Sequence, residues 1–168
     1  MVILFLFIVG ISSRFIPHLP NFVPLAAVAL FSGAYLNRRY AVIVPLALYI
    51  ISDLILGLHN VVFFTWGSII LISFLGTALR NRRTAPKILG FTLISSLLFF
   101  IITNFGVWAM GWYPRTLSGL VQCYVMAVPF FRISLVSNLV YAGVLFGAYE
   151  FLFDRLKDKK LKAALLFN

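Results

Sequence analysis

Four long stretches of the chain carry almost no charge. Residues 15–37, 88–114 and 133–149 contain no Asp, Glu, Lys or Arg, and residues 40–79 contain only Asp53. About 20 apolar residues at a rise of about 1.5 Å cover a hydrocarbon core of about 30 Å, so runs of this length have the dimensions of membrane-crossing helices. The pattern predicts an all-α integral membrane protein, a transmembrane helix bundle with spans near 22–36, 41–58, 61–79, 87–111 and 131–153. Residues 1–16 are apolar too, though short for a full crossing, and predict a sixth helix, short or tilted. They lack the basic start and small-residue cleavage site of a signal peptide. Residues 117–130 are also apolar. A crossing there would carry the basic tail to the opposite side, so they predict a surface or re-entrant helix ended at Pro129. The whole chain, 1–168, reads as one membrane domain without internal repeat.

Composition strengthens this reading. Hydrophobic residues make up 62% and charged residues 11%, with mean hydropathy +1.05. A soluble domain carries about a quarter charged residues, so an ordinary soluble domain and a disordered chain are both excluded. One cysteine excludes an internal disulfide and a cysteine-cluster metal site.

The net charge of +10 would suit a nucleic-acid binder, but its placement argues for a membrane. The clusters Arg38–Arg39, Arg80 to Lys87 and Arg155 to Lys162 hold most of the basic residues, in alternate connections. Basic loops stay cytoplasmic. Both termini are then inside, and the outer connections are 14–21, 58–60 and 112–118. The tail 154–168 mixes apolar and basic residues and suits an amphipathic segment on anionic lipids of the inner leaflet.

Ionisable and amide groups at membrane depth are costly and are functional candidates by default. Asp53, Asn104 and Asn138 fall in the outer halves of their predicted spans, with Arg132 at the outer mouth of 131–153. Arg14, His18, Asn21, His59, Tyr113 and Arg115 fall in outer connections. A shallow cavity open to the outside accommodates them all. Each also has a plainer reading. Asp53 can pair with Arg132, Arg14 or Arg115; Asn104 and Asn138 can be interhelical hydrogen-bond glue. Asn104 and Trp108, four apart, share a helix face that suits a planar ligand, whereas Trp108 and Trp112 also suit an interfacial aromatic belt. His18, His59, Asp53 and Cys123 could converge on a transition metal, without the tight spacing such sites usually show. Ala26, Ala29 and Gly33 give the second span a small-residue face, for internal packing or for a membrane partner. There is no G-x-S-x-G, H-E-x-x-H, carboxylate pair or Walker loop, so neither an enzyme nor a cofactor is expected.

Several blocks together carry a resemblance. RFIPHLPNFVPLAAVALFSGAY (14–35), SDLILGLH (52–59), FFIITNFGVW (99–108), YPRTLSGLVQCY (113–124), AVPFF (127–131) and FGAYE (146–150) resemble an uncharacterised bacterial family of small transport-type membrane proteins. In architecture that family is similar to the substrate-binding S components of energy-coupling-factor transporters. The resemblance implies six helices, both termini inside, and a multi-pass protein of the bacterial inner membrane. It implies binding of a vitamin, a cofactor precursor or a metal from the outer face. It also implies docking, through small residues, on a membrane partner that carries ATPases. It marks Arg14, His18, Asn21, Asp53, His59, Asn104, Trp108, Tyr113 and Cys123 as candidate site residues.

The expected function is therefore binding and uptake of a small solute. Arg14 or Arg132 would pair with an anionic group, Asp53, Asn104 and His59 would give specificity, and Trp108 and Tyr113 would stack. Residues 14–21, with Pro17 and Pro20, would form a lid. Two alternatives stand beside this: a structural or assembly subunit, with docking or self-association through Ala26, Ala29 and Gly33, and a transition-metal permease.

Overall fold

The structure, a computed structural model, describes residues 6, 10, 14, 15 and 21–155. Among these it is helical, with no strand. The five helices are α1 (Leu25–Tyr35), α2 (Arg38–Leu56), α3 (Val62–Thr77), α4 (Ala85–Ala109) and α5 (Leu117–Arg155); Leu6, Gly10, Arg14 and Phe15 are also helical. Among the described residues three stretches are long and apolar enough to cross a membrane: Arg38–Leu56, Ala85–Ala109 and Leu117–Phe151. The rest of the predicted first span, and the tail from 156 onward, lie outside the described residues.

The buried faces of the helices mix small, polar and large apolar residues, while the faces left outside are largely apolar. On α2 the buried residues are Ala41, Val44, Pro45, Leu48, Tyr49, Ser52 and Asp53, at the three- and four-residue spacing of one helix face. The opposite face presents Ile43, Ile51, Leu54 and Ile55. On α3 the buried row is Val62, Thr65, Ser68, Ile69, Ile72, Ser73 and Gly76, with Phe63, Leu71 and Phe74 outside. Apolar outer faces of this kind are solvated by lipid rather than water.

The predicted span 22–36 is shorter in the structure. α1 has 11 residues, or about 16 Å, half of a hydrocarbon core. Its residues from Ala26 to Tyr35 are all buried. It is therefore the hub of the fold, apolar on every side because every side meets another helix. It packs against α2, α3, α4 and α5.

Arginines finish α1. The last carbonyls of a helix have no partner within it. Here Arg80 donates through Nε to the Gly33 carbonyl at 2.9 Å and through Nη2 to that of Leu36 at 2.7 Å, while Arg83 Nη1 donates to Ala34 at 3.3 Å. Cations at a helix C-terminus also meet the negative end of its dipole. Burial draws the Arg80 guanidinium below its ordinary value, and Arg38 adds to this. Arg83 further approaches Glu150 at 3.4 Å, and the Tyr35 hydroxyl donates to the same carboxylate. One end of the bundle thus gathers the ends of α1 and α3, the start of α4 and Glu150 of α5.

α4 and α5 form an antiparallel hairpin. Cys123 lies against Asn104, Phe131 against Phe100 and Asn138 against Ser96. The turn between them is closed by Trp108 Nε1 donating to the Pro114 carbonyl at 3.0 Å, and by Gly119, where a Cβ would lie 2.0 Å from that same oxygen.

The expected break at Pro129 is absent: α5 is one helix of 39 residues running through that proline. The reading of 117–130 as a separate surface or re-entrant helix gives way to a single long element, about 58 Å at 1.5 Å per residue. Its packing explains the continuity. Cys123 and Tyr124 before the proline bond the Asn104 and Ile101 carbonyls, and Phe131 and Asn138 after it hold the same helix. Tertiary contacts on both sides outweigh the one backbone hydrogen bond that proline removes.

Candidate functional site

The α4–α5 hairpin opens a cleft of about 290 Å³. From α4 it is lined by Ser96, Phe99, Phe100, Thr103 and Asn104, and from α5 by Ala127, Phe130, Phe131 and Ser134. Both sets repeat every three or four residues, which is why one face of each helix supplies them. Asn21, in the left-handed conformation at φ 64°, completes the wall. The cleft reaches from Asn104, about 7.5 Å below the end of α4, to Ser96, about 20 Å below it.

The chemistry of this lining is uniform. Four phenylalanines offer flat apolar walls, amides and hydroxyls offer hydrogen bonds, and no lining residue is ionisable. Several of those polar groups are already committed as donors. Asn104 Nδ2 donates to Phe100 O at 2.8 Å, and Thr103 Oγ1 donates to Phe99 O at 2.8 Å. What these two can still offer a guest is acceptor oxygen, Asn104 Oδ1 and a lone pair of Thr103, together with the second N–H of Asn104 Nδ2. The cleft suits a small, flat, uncharged molecule that carries N–H or O–H groups. Its volume is at the lower edge of ligand pockets, about 300–1,000 Å³.

The candidates from sequence divide. Asn21 and Asn104 line the cleft. Cys123 is buried next to it and donates its thiol to the Asn104 carbonyl at 3.4 Å. The others serve elsewhere. Asp53, 1% exposed, is paired with Arg14 at 2.7 Å and accepts Trp66 Nε1 at 2.8 Å. Arg14 also donates to Ser52 Oγ at 2.7 Å and lies over the Tyr49 ring. So Asp53 and Arg14 neutralise one another between the first helical segment and α2, instead of offering charge to a ligand. Trp108 is held by Pro114 and packs on Phe105. Tyr113 sits half-buried in the hairpin turn, and His59 is exposed beyond α2. His18, Pro17 and Pro20 lie outside the described residues.

Arg132 is not at the mouth of a helix. It is exposed well inside α5, next to Phe131, and does not line the cleft. A cationic partner for an anionic ligand is thus missing from the lining, because both arginines expected there are elsewhere. No three of His, Cys, Asp and Glu come together among the described residues.

Asn138 and the small residues of α1 are structural. Asn138 Oδ1 accepts the Ala27 N–H at 3.2 Å, and its Nδ2 donates to Ser96 Oγ at 3.2 Å. Pro24 caps α1 without a side-chain bond, so a first-turn N–H is satisfied by a side chain from α5. Asn138→Leu strands that donor and is expected to cost about 1–3 kcal/mol. The check is a lowered melting temperature with the cleft's ligand binding retained. Ala26, Ala29 and Gly33 are all buried inside the chain, so they present no open docking face to a partner; at Gly33 the close neighbour is α3, through Ser73 and Gly76.

Sequence reasoning missed Ser96, Phe99, Phe100, Thr103, Ala127, Phe130, Phe131 and Ser134. The signal was there: hydroxyls and phenylalanines share one helical face on each helix. No curated protein and no solved structure matches the chain. One family model matches residues 1–163, nearly the full length, and on that match the chain belongs to DUF6580, a family of unknown function.

Proposed function

We propose that the chain is a multi-pass protein of the bacterial inner membrane that binds a small uncharged solute between α4 and α5 and serves its uptake. The observation that carries this reading is the cleft itself: aromatic walls, amide and hydroxyl edges and no charge, at the end of the bundle away from Arg80, Arg83 and Glu150. With the basic end cytoplasmic, the cleft opens toward the outer half of the membrane. The resemblance to S components supports uptake as the purpose of binding. An energy-coupling partner would dock on a surface other than Ala26, Ala29 and Gly33.

The test is to purify the protein in mild detergent from its own membrane, extract it and identify what it held. One uncharged, flat, hydrogen-bond-donating molecule per chain is the expected result. Asn104→Leu removes the free acceptor and should lower affinity by about tenfold or more, with the melting temperature of the empty protein little changed. Arg132→Gln should leave affinity unchanged. An anionic ligand lost on Arg132→Gln overturns the reading, as does a protein that neither carries nor binds any uncharged solute of this class.

A further inference from the structure

A second groove lies between α4 and α5 at the opposite, basic end. Its volume is about 370 Å³, and Leu89, Leu139 and Phe146 contribute to a mostly apolar wall. Gly143 and Gly147 form its floor on α5. Both are exposed, and a Cβ at either would meet nothing within 4 Å. The missing side chains therefore leave a trench on the outside of the bundle. Unfilled, its walls would lack dispersion partners on one side.

Arg83 and Glu150 close the trench at its polar end. The donors of Arg83 can be followed one by one. Nε faces Glu150, and Nη1 donates to the carbonyls of Ala34 and Arg80. Nη2 makes no hydrogen bond among the described residues, the guanidinium lies over the Tyr35 ring with its carbon 4.5 Å from the centroid, and the side chain is 28% exposed. Arg82 and Lys87, both exposed, flank it in sequence. Glu150 is already engaged by Arg83 and by the Tyr35 hydroxyl. One acid thus meets Arg83 at the polar end of the trench, and the exposed Arg82 and Lys87 add two further cations to the same short stretch of chain.

We propose that this groove binds one anionic phospholipid, its phosphate accepting from Arg83 Nη2 and its acyl chain lying over Gly143 and Gly147. Each half of the lipid meets its complement: the headgroup meets excess positive charge at the bilayer surface, and the chain fills apolar space at membrane depth. A Gly-x-x-x-Gly face also suits a second helix. A helix would fill the trench, yet it would leave the cationic mouth unanswered.

The test uses the full chain exchanged into micelles holding equal amounts of phosphatidylglycerol and phosphatidylcholine with identical acyl chains. Native mass spectrometry counts what stays bound. One phosphatidylglycerol should be retained at about tenfold excess over phosphatidylcholine. Gly147→Leu, which fills the trench, should abolish retention of both lipids. Arg82→Gln with Lys87→Gln should keep the trench but reduce the preference severalfold. Gly143→Ala and Gly147→Ala narrow the trench without closing it and should weaken retention by a smaller factor, which keeps the test decisive where the leucine variant fails to fold. Equal retention of the two lipids, or retention unaltered by every glycine variant, overturns the proposal. So does a lipid-free dimer that Gly147→Leu dissociates, which would assign the groove to a second copy of the chain.

Discussion

Asp53→Ala should cost the protein its stability before it costs any ligand. The variant leaves Arg14 beside Tyr49 and Ser52 with its cation unpaired, and Trp66 Nε1 without its acceptor. Removing one partner of a buried ion pair costs about 3–5 kcal/mol, because the remaining charge stays desolvated. Membrane surroundings offer that charge little relief. The expected readout is a sharply lower melting temperature and loss of monodisperse protein after extraction. Trp66→Phe removes the hydrogen bond to the carboxylate at 2.8 Å, along with part of the ring, and the lost bond alone should cost about 1.5–3 kcal/mol.

The double variant Arg14→Met, Asp53→Leu should recover most of what Asp53→Ala loses, since an apolar pair of similar volume often replaces a buried ion pair without net cost. The cycle separates two roles for this pair. A structural pair gives large single losses and a strongly non-additive double variant. A ligand-binding Asp53 gives a stable single variant that no longer binds and a double variant that rescues nothing. The second pattern would return Asp53 to the list of residues that face a solute.

What the sequence discloses here follows from the kind of physics each feature rests on. The buried stripe of α2 is legible because a fixed helical period places 41, 44, 45, 48, 49, 52 and 53 on one side. The existence of α4 is legible because 25 residues of continuous apolarity admit few other structures in a membrane. The depth of α1 is not legible. A helix apolar all round reads the same whether lipid or protein surrounds it, and only the packing of α3 and α5 on it decides. Nor does the sequence choose among three arginines for Asp53; Arg14, 39 positions away, wins by fold alone. Pro129 misled for a related reason. Its local cost is real, and distant contacts on both sides of it outweigh that cost.

The basic clusters carry a second lesson. Counted along the chain, they indicate which end of the protein gathers positive charge. Seen in the fold, Arg80 and Arg83 also terminate α1 by taking its last carbonyls. One set of charges thus bears on orientation and on the central helix together. The cleft, likewise, is half visible in sequence. Asn104 stands out as a polar residue in an apolar run, whereas Phe99, Phe131 and Ser134 look like ordinary membrane residues until two helices bring their faces together.

The close crossing of α1 and α3 sets the second large expectation. At Gly33 a Cβ would lie 2.1 Å from the Ser73 carbonyl oxygen and 2.8 Å from the Gly76 Cα. At Gly76 it would lie 2.3 Å from the Leu30 carbonyl oxygen and 3.0 Å from the Gly33 Cα. The obstacles are backbone, so no rotamer change makes room. Even one methyl must push two helices apart, and α1 touches every other helix of the bundle. Overpacking a core ordinarily costs about 1–3 kcal/mol and more where nothing can yield. Gly33→Ala and Gly76→Ala should each reach the upper part of that range, and leucine at either position should prevent folding. Gly67 and Gly90 supply the controls, since a Cβ there meets nothing within 4 Å. Alanine at those two positions should be neutral or mildly stabilising, by up to about 1 kcal/mol, through helix propensity alone. Melting temperatures of the four alanine variants, measured in one detergent, decide the matter. Equal behaviour of all four would mean that α1 and α3 do not cross through their glycines, and the small residues of α1 would again be free to meet a partner.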